Sequence, residues 1–210
     1  MIGQPVPVAP MRKDLARIRD MIPEGASVLD LGCGAGDLLA SLRDVKGAKV
    51  QGVEINCDRV NACIEKGINV THGDFRYELA DYPTGNFDYV VLSQVLHEIN
   101  EPDMGGFMRE MLRVGRHVIA SFINMAYFKF RWSFFWRGAF PVDCPYSWQD
   151  SAASIMTVKA FKAFCKGAGI TIIDEVYLGG HGRPVPRFGA NVSAQVALFV
   201  LGRGAPVNGA

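Results

Sequence analysis

The chain lacks the marks of a metalloprotein, a disulfide scaffold or a membrane protein. Its five cysteines, Cys33, Cys57, Cys63, Cys144 and Cys165, form no Cys-x-x-Cys pair and join no His/Cys cluster of zinc-like spacing. An odd, unpatterned set points to reduced thiols, and with them to a cytoplasmic protein. The most apolar stretch, 119–136, is broken by Asn124, Lys129 and Arg131, so no membrane span is expected. Prolines at 5, 7 and 10 precede a charged helix, which leaves no apolar core for a signal peptide. An excess of one charge is missing too. With 22 Lys and Arg against 21 Asp and Glu, a net charge of +1 gives no basis for general nucleic-acid binding. The local run Arg109, Arg113, Arg116 and His117 reads as a solvated helix end, not a phosphate site.

What is present is an ordinary globular composition. The 210 residues, 49% of them hydrophobic, can bury one substantial core. Residues 1–10 read as a flexible lead-in and 203–210 as a flexible tail. Apolar positions at Met11, Leu15, Ile18 and Ile22 predict a first helix, ended by Pro23-Glu24-Gly25. Strands are then expected at 26–31, 49–55, 68–72, 86–93, 116–122, 170–177 and 194–201, with helices between them. This alternation predicts an α/β fold with a seven-stranded, doubly wound, Rossmann-like sheet, mostly parallel, with helices on both faces. Ligands of such sheets sit beyond the carboxyl ends of the strands, at the switch point. Asp30, Glu54, Asp74 and Ser93 all fall at or just after those ends.

The stretch Val28-Leu29-Asp30-Leu31-Gly32-Cys33-Gly34-Ala35-Gly36-Asp37 reads as a buried strand, a glycine-dense turn and the start of a helix. Dinucleotide sites use Gly-x-Gly-x-x-Gly and rest a pyrophosphate on the helix N-terminus. Here the third glycine comes one residue early. Asp30 places an acid where a pyrophosphate would be repelled. A ligand with an amine-bearing arm and polar hydroxyls fits better, and Glu54 suits a ribose diol in either case.

These residues, with Gly73-Asp74-Phe75 and the strand Phe87-Asp88-Tyr89-Val90-Val91-Leu92, resemble class I S-adenosylmethionine-dependent methyltransferases. That resemblance implies a single domain over 11–202, with an antiparallel last strand. It puts Asp30, Gly32, Cys33, Gly34 and Gly36 against the methionine part of the cofactor. Glu54 with Ile55 would lie on the ribose, Gly73, Asp74 and Phe75 at the adenine, and Ser93 would complete the set. S-adenosylhomocysteine would be the product.

A narrower resemblance joins the chain to the MetW family. It rests on Met11-Arg12-x-Asp14-Leu15, Val53-Glu54-Ile55, Leu92-Ser93-Gln94, Glu110-Met111-Leu112-Arg113-Val114-Gly115-Arg116, Ser121-Phe122-x-Asn124 and Pro145-Tyr146-x-Trp148-x-Asp150. The resemblance implies a link to methionine biosynthesis and support of a homoserine O-acyltransferase. The chain departs from the family at Ser151-Ala152-Ala153-Ser154-Ile155-Met156, where a histidine-containing run is usual, and at Gln94-Val95-Leu96-His97.

His97 is the base candidate for methyl transfer, ahead of Glu98. Tyr146, Trp148 and Asp150 form a polar-aromatic loop where an acceptor or partner would enter. An aromatic cap of about 124–156 holds Tyr127, Phe128, Phe130, Trp132, Phe134, Phe135, Trp136 and Phe140, too many rings for one core stripe. Interface, lid and plain core are all open for it. Two functions follow: methyl transfer to a small-molecule acceptor, or a cofactor-binding accessory protein docked on the acyltransferase.

Overall fold

A computed structural model describes residues 11–99, 104–138 and 156–203. The loop of Tyr146, Trp148 and Asp150, Cys144, and most of the expected cap beyond Gly138 lie outside the described residues.

Strand β1 (Ser27–Leu31) lies third in a seven-stranded sheet. It is flanked by β2 (Lys49–Glu54) and β3 (Asn69–His72) on one side, and by β4 (Phe87–Ser93) and β5 (Gly115–Ile123) on the other. The remaining strands are β6 (Ile170–Leu178) and β7 (Val196–Arg203), and the order across the sheet is β3-β2-β1-β4-β5-β7-β6. The first five strands pair in parallel, and β7 runs antiparallel between β5 and β6. The chain leaves β1 in one direction to β2 and later returns on its other side as β4. The switch point therefore opens between β1 and β4.

Continuous burial along β1 and β4 follows from helices on both faces, and the period of two divides their side chains between two cores. Val28 and Val91 pack on one face with Ile18 and Ile22 near the first helix and Leu38 and Leu42 of the second. Leu29, Leu31, Val90 and Leu92 pack on the other with Met108, Met111, Phe122, Phe161 and Phe199. The helices concerned are α1 (Lys13–Met21) and α2 (Asp37–Lys46) on the first face. By the same parity Asp30 belongs to the face of Val28, so its carboxyl is directed toward the start of α1 and α2.

Helix α3 (Cys57–Glu65) starts on an Asn56 cap whose side chain accepts from the N–H groups of Asp58 and Arg59. The short α4 (Phe75–Glu78) is capped by Asp74. Helix α5 (Met104–Val114) includes Gly105 and Gly106 in its first turn. Its apolar face of Met104, Phe107, Met108 and Met111 is buried and holds it. Helix α6 (Phe128–Arg137) follows β5, and α7 (Val158–Gly167) and α8 (Ala190–Ser193) complete the set. The last strand begins two residues later than expected, because Ala190 to Ser193 form the extra turn of α8. Asn124, fully buried, ties these parts together. Its amide donates to the carbonyls of Asn191 and Ala194 and accepts from the N–H groups of Ala126 and Val158.

Candidate functional site

A cleft of about 530 Å³ opens over the carboxyl ends of β1 and β4. Its floor is Asp30 and the turn Gly32-Cys33-Gly34-Ala35; its walls are Ser93, Gln94, Val95 and Glu98 on one side and Met11, Arg12 and Leu15 on the other. The alternate glycines of the turn, Gly32, Gly34 and Gly36, all have positive φ, between 59° and 75°. An L-residue in that left-handed region costs roughly 1–2 kcal/mol, and a Cβ on Gly36 would also stand 2.9 Å from the Cys63 sulfur. The spacing of glycines thus reflects the shape of the turn.

The turn is held from below by β2. Val53 O accepts from the N–H groups of Gly32 and Cys33, at 2.8 and 3.1 Å. Glu54 Oε2 accepts from Gly34 N–H at 2.8 Å, while its Oε1 accepts from Ile55 and Asn56 at 3.1 and 3.0 Å. With the Gly36 N–H on Cys33 O, most donors of the turn are engaged. A bare phosphate would find few of them here. A carboxylate offers about four lone-pair sites, so Glu54 retains capacity for about one further donor such as a hydroxyl.

Asp30 carries the unusual chemistry. Its side chain is 3% exposed, and Oδ1 has no hydrogen-bond partner among the described residues. Burial pushes the carboxyl up to about 7, against the downward pull of the Arg12 guanidinium, and Glu54 adds a smaller upward push. A buried acceptor without a donor is costly unless a ligand supplies one. The Cys33 thiol is likewise pushed up, first by burial, and its sulfur faces that of Cys63 at 3.9 Å.

Arg12, which precedes α1, stands across the cleft in a fixed pose. Asp14 takes its Nε and Nη2 at 3.2 and 3.0 Å, and Nη2 also donates to Ser93 Oγ at 3.0 Å. Nη1 makes no hydrogen bond among the described residues. Asp14 also accepts from Gln94 Nε2 at 2.8 Å, which helps hold Gln94 at φ 61°. Ser121 donates to Ser93 from the next strand at 3.2 Å. A cation and an unpartnered acid therefore line one cleft, which suits the two ends of an amino-acid zwitterion. Arg12, Asp14 and Gln94 were not singled out as site residues from the sequence, although Arg12-x-Asp14 and Gln94 stood within family-like blocks.

Other expected residues are distributed differently. Asp74 caps α4 and is paired with Arg76, and Phe75 packs edge-on against Phe107 in the core. Gly73 donates its N–H to Glu54 O, and Ile55 is exposed. Neither Glu54 nor Gly73, Asp74 or Phe75 lines the main cleft. On the turn after β4, Glu98 lines it and His97 does not. Arg113 is not a solvated helix end: it donates to the carbonyls of Leu79 and Tyr82 as well as to Glu110.

No helix of the described residues is long and apolar enough to cross a membrane. The chain is 17% identical to a SAM-dependent methyltransferase from Archaeoglobus fulgidus of known structure, with a TM-score of 0.65 over 90% of this chain and 94% of that one. It therefore has the fold of the S-adenosylmethionine-dependent methyltransferases. In sequence it is 38% identical over 136 residues to the bifunctional methionine biosynthesis protein MetXA/MetW of Rhodopirellula baltica. That match takes in 61% of this chain but only 22% of the longer protein. It is also 28% identical over 171 residues to a demethylmenaquinone methyltransferase of Bacillus licheniformis, covering 71% and 72% of the two chains. The family model described as methionine biosynthesis protein MetW matches residues 12–201, and the chain belongs to the MetW family.

Proposed function

We propose that the cleft binds S-adenosylmethionine and that the protein transfers its methyl group to a small-molecule acceptor. The observation that carries this reading is the buried Asp30 carboxyl, without a partner at Oδ1, facing a cleft that Arg12 also lines. Asp30 would accept from the cofactor's α-ammonium and Arg12 would bind its α-carboxylate. Gly32 and Gly34 would let the cofactor approach the backbone, with Cys33 between them on the cleft floor and Gly36 shaping the turn. Glu54 beside Ile55 would take a ribose hydroxyl, and Gly73, Asp74 and Phe75 would border the adenine.

The cofactor, when bound, supplies a methyl group made electrophilic by its sulfonium. The chain's tasks are to align an acceptor and to remove its proton. Glu98, on the cleft wall, is the group placed nearest that role, with His97 beside it on the same turn as the second candidate. Ser93, fixed by Arg12 and Ser121, belongs to the same wall. Tyr146, Trp148 and Asp150 are assigned to acceptor or partner entry.

A second reading is favoured by the relative in which MetXA and MetW share one polypeptide. In it the cofactor-bound chain docks on a homoserine O-acyltransferase and supports that enzyme, with little or no methyl transfer. Incubation with radiolabelled cofactor and candidate metabolites separates the two. Label in an acceptor, lost in Glu98→Gln or His97→Gln with cofactor affinity kept, supports the first. Cofactor binding without transfer, together with co-purification and stimulation of the acyltransferase, supports the second.

A further inference from the structure

Helix α6 leaves an aromatic ridge uncovered. Its root is buried: Tyr127 and Phe130 pack with Ile123 and Met125 in a small cluster of their own. At its far end Gly138, at φ 63°, caps the helix through the Phe134 carbonyl. At about 100° per residue, Phe128, Trp132, Phe135 and Trp136 fall within one arc of about 100°, and Phe130 points to the opposite side. These four rings are 50–77% exposed, and Phe134, 56% exposed, lies outside the arc beyond Arg131. Trp136 meets Trp132 and Phe135 with ring centroids at 5.6 and 5.3 Å, and Phe128 meets the buried Tyr127 at 4.9 Å.

The charges are arranged around this ridge with a single sign. Lys129 borders it on one side and Arg131 on the other, Arg137 lies at the C-terminal end on the side of Phe130, and residues 128–137 contain no acid. All three cations are exposed. Aromatic rings and arginine are also enriched in protein–protein interfaces, so the charge around the rings selects between the two. Cations flanking an aromatic arc on a helix without an acid complement an anionic surface, as on a helix lying in a lipid headgroup region. Phe188, 96% exposed, belongs to the neighbouring segment that Asn124 ties to the root of α6.

We propose that α6 docks the protein peripherally on an anionic phospholipid surface, the rings entering the headgroup layer and Lys129 and Arg131 meeting the phosphates. Docking of this kind is reversible: two cations and four rings on one short helix supply electrostatic attraction and a shallow anchor, and salt screens the former. It is independent of what the cleft binds.

The test is flotation of the full chain with vesicles of phosphatidylglycerol and phosphatidylcholine in equal parts, against pure phosphatidylcholine, at low and high salt. The expected result is recovery with the anionic vesicles alone, lost at high salt. Two double variants, Trp132→Ser with Phe135→Ser and Lys129→Glu with Arg131→Glu, should each lower the bound fraction at least about tenfold while thermal melting is unchanged. No flotation with anionic vesicles at low salt, or flotation that neither variant alters, overturns the proposal. So does self-association of the wild-type chain that disappears in the aromatic variant without any vesicle binding, which would assign the ridge to a contact between copies.

Discussion

Replacing Asp30 by asparagine should stabilise the cofactor-free protein and weaken its hold on the cofactor. Burial raises this carboxyl from 3.8 to about 7, a shift of about three units, and each unit corresponds to about 1.4 kcal/mol. Because the folded value lies above the unfolded one, the group is neutral in both states and carries no penalty below about pH 4. The penalty builds progressively as pH rises to about 7, and at higher pH the ionised group opposes folding by up to about 4 kcal/mol. Asparagine removes that charge but brings amide donors that need partners, so the net gain near pH 8 should be about 1–3 kcal/mol. Denaturant unfolding of both proteins at about pH 4 and about pH 8 measures it, and the difference should grow with pH. For binding, the ionised form is the one that accepts an ammonium. S-adenosylhomocysteine, whose α-ammonium stays charged in this window, should bind about tenfold more tightly at about pH 8 than at about pH 6. Asp30→Asn should flatten that dependence. Arg12→Gln should move its midpoint upward, because the guanidinium now pulls the carboxyl down. An Asp30→Asn protein destabilised by the same amount at every pH would refute the reasoning.

Glu54→Ala removes the acceptor of three backbone N–H groups that join the glycine turn to the start of α3. Cofactor affinity should fall by about 1–3 kcal/mol by calorimetry, and the melting temperature should drop as well. Gly36→Ala should cost about 1–2 kcal/mol in backbone strain, with an added penalty from the Cys63 sulfur 2.9 Å from the new Cβ; unchanged unfolding would contradict the turn geometry. Asn124→Ala leaves buried carbonyls at Asn191 and Ala194 and buried N–H groups at Ala126 and Val158 without their partner. Chemical denaturation should register a loss of about 3 kcal/mol or more.

Much of this fold is legible in the sequence, because each parallel strand is a short run that opens at or just after a glycine, and the runs are joined by helices of clear periodicity. Asp30 stands out at that level as an acid at a strand end before a glycine turn, and its burial and its place in the cleft agree. Other features depend on contacts between distant segments. Arg12 and Asp14 precede or begin α1, yet they reach Ser93 and Gln94 about 80 residues later, and no local pattern encodes that pairing. Phe75 follows an acid at a strand end and resembles a ligand contact, and its ring also packs into the core against Phe107, a contact no local pattern encodes. Gly105 and Gly106 look like punctuation, and α5 runs through them because its opposite face is buried. Rings crowded into 127–136 announce a special surface, although only the helical arc separates the anchoring Tyr127 and Phe130 from the exposed ridge.

On the proposed reading, Asp30 and Arg12 together hold the amino-acid end of the cofactor. Calorimetric titration of the wild-type chain and of Arg12→Gln, with S-adenosylhomocysteine and with 5′-methylthioadenosine, measures that pairing. The wild type should bind S-adenosylhomocysteine at one site and markedly more tightly than methylthioadenosine, which lacks the amino-acid arm. Arg12→Gln should lose most of that difference while its methylthioadenosine affinity stays the same. Equal affinity of the wild type for the two compounds, or no binding of either, would contradict the account.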